Sequence, residues 1–159
     1  MSNLSKEWAE VRANDRVMRY RRTGTGRTIV VLLTPSYRQP PWPELIEALG
    51  SRFRVIFPEP PAADADVSDW LADFLEGLGM SNVRIVAADR FCMPTLELTL
   101  LGLDQVARVV LVPHGRGWEQ GVGGALEAAT GQAVVPLIVV RDGQPVEEIV
   151  QLTTGFFAA

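Results

Sequence analysis

The side chains able to do chemistry are few and widely separated. One histidine, His114, and one cysteine, Cys92, stand in a chain of 159 residues. A single cysteine forbids an intrachain disulfide and any cysteine-based zinc cage, and one histidine leaves little for a multi-histidine site, so no metal is expected. Cys92 has no base in prospect other than His114 and is read as a small apolar helix residue rather than a nucleophile. Gly24-Thr25-Gly26 precedes its strand and Gly121-Val122-Gly123-Gly124 lies several residues beyond one, with no Walker lysine nearby. Neither is a nucleotide loop, and no cofactor is implied. Trp42 and Trp118 fall in loop sequence and are candidates for the wall of a ligand site.

The composition sets the frame for these residues. At 47% hydrophobic and 21% charged, the chain reads as one globular domain, residues 1–159, with enough length for a substantial core. Fifteen Lys and Arg against nineteen Asp and Glu give a net charge of -4. That offers no electrostatic footprint for nucleic acid or an anionic membrane, which leaves a small molecule as the expected partner. The polar N-terminal sequence resembles no signal peptide, no apolar run approaches the length of about 18 residues that a spanning helix needs, and a cytoplasmic location is expected.

The pattern along the chain is one of alternating strands and helices. Residues 9–13 and 17–21 alternate weakly around Ala13-Asn14-Asp15, a hairpin turn, and Thr23 to Gly26 make a second turn. Residues 28–33 are continuously apolar and β-branched, as in a strand covered on both faces. Pro43 opens a helix over 43–49 that Gly50 closes, and 53–57 is a strand. Val67, Trp70, Leu71, Phe74, Leu75 and Leu78 form one helical stripe, capped by Asp66 and ended by Gly79. Strands are predicted at 83–87, 107–112 and 134–140, with helices at 94–103, near 124–129 and at 145–156. The sum is an α/β fold. It has a mainly parallel sheet of six or seven strands, helices on both faces and two antiparallel lead-in strands.

Several segments carry a family resemblance in order. Val17-Met18-Arg19-Tyr20, the turn Thr23 to Gly26 and Ile29 to Leu33 resemble the opening hairpin and third strand of the α/β-hydrolases. Phe53 to Pro61 resembles their fourth strand and its loop, Trp70 to Gly79 the helix before the nucleophile strand, and Asn82 to Asp89 that strand itself. Gln105 to Pro113 and Val135 to Val140 are similar to the two strands that follow. The resemblance covers nearly the whole chain and implies a three-layer α/β-hydrolase-like sandwich.

What it implies for chemistry is less regular. At the family's G-x-S-x-G elbow stand Ala87-Ala88-Asp89-Arg90-Phe91. A carboxylate at the nucleophile position resembles the haloalkane dehalogenase and epoxide hydrolase branches, which attack through Asp to form an ester. Phe91, where a small residue is usual, is expected to force the turn open or rotate it. On a plainer reading, Asp89 only caps the helix starting near Pro94 or lines a wet sheet end. Thr34-Pro35 replaces the family's His-Gly, which leaves the amides of Ser36 and Arg90 and the hydroxyls of Ser36 or Tyr37 as oxyanion donors. The catalytic-acid position aligns with Gln144, two residues from Asp142.

No residues remain after Ala159 for the family's last strand and its histidine, so the usual triad is not expected. The family strand order would bring His114 beside Asp89 at the carboxyl edge of adjacent strands. That makes an Asp89/His114 dyad, with Arg90 or Arg116 as anion contact and Trp118 at its border, the one hydrolytic constellation the residues allow. Two readings follow. The leading one is a non-catalytic or small-molecule-binding homologue with the standard triad lost; the other is an atypical hydrolase of a small ester or epoxide. The apolar tail Gly155 to Ala159 must pack on its own sheet or across a subunit boundary. A long exposed edge at 134–140 would favour a homodimer.

Overall fold

The structure, a computed structural model, describes residues 7–33, 41–100, 105–112, 135–140 and 143–159. The strands are β1 (Ala9–Ala13), β2 (Arg16–Thr23), β3 (Thr28–Leu32), β4 (Arg54–Pro58), β5 (Val83–Ala88), β6 (Val106–Val112) and β7 (Leu137–Val139). The helices are α1 (Trp42–Gly50), α2 (Val67–Leu78), α3 (Cys92–Leu100) and α4 (Val146–Ala158), with a 3-10 turn over Asp89–Phe91. The seven strands form one sheet in the order β1-β2-β4-β3-β5-β6-β7. β1 pairs antiparallel with β2, and β2 with β4. β4, β3, β5, β6 and β7 run parallel to one another. The two lead-in strands and the parallel body match the sequence expectation.

Alternation along the central strands divides the core in two. Val30, Leu32, Ile85, Ala87, Val109 and Leu111 pack with Trp70, Leu71, Phe74, Leu75 and Leu96 from α2 and α3. On the other face Ile29, Val31, Val86, Ala88, Val110 and Val112 pack with Leu45, Leu49, Ile149 and Phe157 from α1 and α4. A strand buried on both faces has no polar side, which is why β3 reads as a continuous apolar run and β5 and β6 as runs interrupted only by Arg84 and Arg108. The apolar tail packs on its own sheet: Phe157 is fully buried and Phe156 half-buried. Leu137–Val139, the edge strand, is three residues long rather than seven, and a short edge offers little template for a further strand.

The local signals for α2 are realised in full. Asp66 caps it by accepting from the Asp69 amide at 3.2 Å, and Gly79 ends it at φ 61°. Such a cap contributes about 1 kcal/mol. The β1–β2 turn places Asn14 and Asp15 at φ 51° and 65°, the two left-handed residues that a two-residue hairpin requires. Asn14 Nδ2 then donates to Asp73 at 2.7 Å and Glu76 at 3.1 Å, tying the hairpin to α2.

Two expectations shift. Trp42 is the first residue of α1 and is 8% exposed within the α1/α4 core, so it lines no ligand wall; its indole is needed to close that layer. α3 begins at Cys92 rather than Pro94, because a proline within the first helical turn forfeits no intrahelical hydrogen bond. The helix expected near 124–129 lies outside the described residues.

The glycine pair before β3 has a structural cause. Gly24 sits at φ 77°, and a Cβ there would clash with the Phe53 carbonyl oxygen and lie 2.6 Å from that of Gly50. The β2–β3 turn is therefore pressed against the backbone that leaves α1. Gly24→Ala is expected to lower stability by about 2 kcal/mol or more, from the left-handed backbone together with overpacking. Denaturant unfolding that shows a loss below about 0.5 kcal/mol, the ordinary range of a surface change, would contradict this packing.

Candidate functional site

The sheet order decides which chain segments meet. β5 lies between β3 and β6, with Leu32 opposite Ala87 and Ala88 opposite Val112. Parallel strands lie about 4.8 Å apart. The chain therefore leaves β3, β5 and β6 side by side at the carboxyl edge, where open α/β sheets bind ligands. Asp89 is the residue directly after β5. Ser36 and Tyr37 follow β3 in sequence and His114 and Trp118 follow β6, and all four lie outside the described residues.

Asp89 stands at φ 50°, between Ala88 in extended backbone (φ -120°, ψ 155°) and the 3-10 turn that leads into α3. A non-glycine residue in the left-handed region carries a cost, which Asp bears better than most because its short polar side chain can bond locally. The strand-to-helix reversal through one left-handed residue is the geometry of a nucleophile elbow. The cap position of the 3-10 turn belongs to Ala88, without a side-chain cap bond, so Asp89 is not the capping residue of that turn. Its half-buried carboxylate instead occupies the first turn of a helix, where the unpaired amides and the dipole favour negative charge.

Phe91 does not open the turn. Its side chain is 1% exposed and enters the α2/α3 core, 6.1 Å from the Trp70 ring at 45°. The tightened 3-10 turn aims the ring away from the strand–helix crossing, and the next residue, Cys92, supplies the small side chain needed there. Cys92 is fully buried and its Sγ donates to the Ala87 carbonyl at 3.3 Å. Burial, and after it the charge of Asp89, push its thiol up to about 12, partly offset by the Val112 backbone. A thiol so held is no thiolate at neutral pH and no nucleophile.

The Arg90 guanidinium is engaged by the loop between β4 and α2. Its Nη2 donates to the Pro61 carbonyl at 2.8 Å and its Nη1 to that of Ala62 at 3.2 Å, while the guanidinium stacks 5.0 Å from the Phe91 centroid. The side chain lies on the β4–α2 loop, where the Ala62 carbonyl also accepts from the Ala65 amide, and it ties that loop to the elbow. The backbone amide of Arg90, in the first turn after Asp89, keeps the location of an oxyanion donor. The loop role of Arg90 could not be read from sequence, since Pro61 and Ala62 lie about thirty positions away. Among the described residues no cluster of three metal-ligating side chains occurs, and no helix is long and apolar enough to cross a membrane.

The strand order, the antiparallel lead-in and the left-handed residue after the central strand define the α/β-hydrolase fold, and this chain has it. The comparison with solved structures agrees. A protein described as a predicted CIB-like hydrolase, from Thermoplasma acidophilum, is similar over 97% of this chain and 98% of its own, at 16% identity and a TM-score of 0.63. A serine hydrolase involved in carbazole degradation matches 77% of this chain at 20% identity and a TM-score of 0.56. The epoxide hydrolase CorEH matches 69% at 22% identity and 0.53. The chain spans 55% of the carbazole enzyme and 42% of the epoxide hydrolase. At these identities the likeness is one of fold. No protein-family model matches the chain, and no curated protein matches its sequence.

Two outcomes test this geometry. Asp89→Val and Asp89→Gly both remove the carboxylate, so the left-handed backbone, which valine tolerates worst and glycine best, dominates their difference. The valine variant should be less stable by about 1–2 kcal/mol, and equal unfolding midpoints would mean the residue is not left-handed. In the folded protein at mildly alkaline pH, Cys92 should resist an aromatic disulfide reagent and react fully once denaturant is added; rapid native labelling would contradict its burial.

Proposed function

We propose that the protein is a hydrolase of a small epoxide-type electrophile, with Asp89 as the nucleophile. The observation that carries this reading is the left-handed backbone of Asp89 at the end of β5. Strain of this kind persists where the surroundings enforce it, and it clusters at functional sites. The likeness in fold to structures named as epoxide hydrolases adds support, as does the full-length likeness to one named as a hydrolase.

The chemistry follows from the carboxylate. Attack on an acyl carbon would give an anhydride, whereas attack on the saturated carbon of an epoxide gives an ester and breaks one C–O bond. The alkoxide so formed would accept a hydrogen bond from the Arg90 amide and take its proton from solvent water. Water, giving its proton to His114, would then add to the ester carbonyl, release the diol and restore Asp89. Ser36 and Tyr37 would supply further donors and Trp118 an apolar border.

A second reading, binding of a small molecule without turnover, is favoured by the engagement of the Arg90 guanidinium with loop carbonyls, which commits two of its donors away from a reacting group.

Single turnover of a small aryl epoxide in oxygen-18 water separates the two. The label should enter the Asp89 carboxylate, Asp89→Asn should lose about three orders of magnitude in rate, and His114→Ala should accumulate a covalent adduct of the epoxide's mass. An unlabelled Asp89 together with unchanged turnover in Asp89→Asn would overturn the assignment. Saturable binding with no turnover would support the second reading.

A further inference from the structure

The opposite, amino-terminal edge of the same sheet holds a second feature. A cleft of about 660 Å³ opens there between the start of β3 and the loop that leads into β5, lined by Arg27, Ser81, Asn82 and Arg84 among others. Its size is that of a small-molecule site. Arg84 lies on β5 in a row of apolar residues and is only 6% exposed. It stands opposite Arg108 in the β5–β6 register and opposite Ile29 in the β3–β5 register, so Arg27, two residues before Ile29, shares its face of the sheet. Arg84 and Arg108 therefore share one face at one edge with Arg27, and Arg27 and Arg84 line the cleft.

Their described partners are neutral. Arg84 donates from Nε to the Phe157 carbonyl at 2.8 Å, near the end of α4, and from Nη1 to the Asn82 carbonyl at 3.4 Å. Those bonds use two of its five N–H donors. Arg108 stacks on Phe156 at 5.0 Å. Among the described residues no carboxylate forms an ion pair with Arg27, Arg84 or Arg108. Burial and then the charges of Arg27 and Arg108 push the Arg84 guanidinium down from its ordinary range, in keeping with positive charges left without a counter-ion. Like charges opposite one another in a sheet are destabilising, and an anion seated between them reverses the sign of that interaction.

We propose that this cleft binds the phosphate group of a small molecule. A phosphate dianion matches two guanidiniums in charge and accepts their paired donors, whereas a monocarboxylate is neutralised by one. The Ser81 hydroxyl and the Asn82 amide stand in the same lining as further polar contacts. The site lies on the edge of the sheet away from Asp89, so it is independent of the hydrolytic reading.

The test is a titration of the intact protein with inorganic phosphate and with phenyl phosphate at constant ionic strength, followed by amide NMR. Saturable shifts should centre on residues 26–28 and 81–84. Arg27 is exposed and its charge opposes that of Arg84, so Arg27→Gln should hold or raise the unfolding midpoint and weaken binding at least tenfold. Arg84→Lys, which keeps the charge and loses the fork, should weaken it as well. Tighter phenyl phosphate identifies an ester as the occupant, and tighter inorganic phosphate identifies the free ion. The proposal is overturned if chloride at equal ionic strength gives the same shifts, if Arg27→Gln binds as the parent does, or if the shifts map to the Asp89 edge.

Discussion

Everything at the carboxyl edge depends on β5 being covered on all sides. Each of its six residues is buried, it hydrogen-bonds to β3 and β6, and helices cover both of its faces. A strand so enclosed cannot slip, because a one-residue shift would exchange the faces of its side chains and drive Arg84 into the α2/α3 core. The chain must also reverse at once when it leaves the sheet, since α3 packs back on the same layer. One left-handed residue makes that reversal, and Asp89 is where it falls. The elbow is thus a consequence of the central strand's burial, enforced by packing on both sides.

The same enclosure explains how the irregular residues are absorbed. Phe91 is too large for the crossing of strand and helix, and the 3-10 turn sends it toward Trp70, where aromatic area is already buried. Cys92 takes the crossing position and loses any reactivity by doing so. Arg90, just outside the core, stacks on Phe91 and holds the Pro61 and Ala62 carbonyls. These three consecutive residues belong to the support of the elbow, each by a different interaction.

The two edges of the sheet differ in charge and in helix direction. At the carboxyl edge a carboxylate sits in the first turn of the helix running into α3, where exposed amides favour it. At the amino edge a buried guanidinium meets the carbonyl end of α4. Each charge therefore faces the helix end of opposite polarity. The difference is that Arg84, which alone bonds the helix terminus, also feels the charges of Arg27 and Arg108.

By itself the sequence determined the elements and their order. The stripe on α2, its Asp66 and Gly79 boundaries, the Asn14-Asp15 hairpin and the largely apolar runs of β3, β5 and β6, the last two each interrupted by one arginine, all depend on neighbours within about a dozen residues, which is the range over which pattern carries information. It also marked Asp89 as the residue at the strand-to-helix junction. What only the tertiary structure decided were the matters set by residues distant in the chain. These are the left-handed backbone at Asp89, the descent of Phe91 into the core, the burial of Trp42 in a helix start and the engagement of Arg90 by a loop about thirty residues away. The row formed by Arg27, Arg84 and Arg108 was invisible for the same reason. Parallel strands meet only after a crossover, so the neighbours of a side chain are chosen by register across the sheet and not by position along the chain.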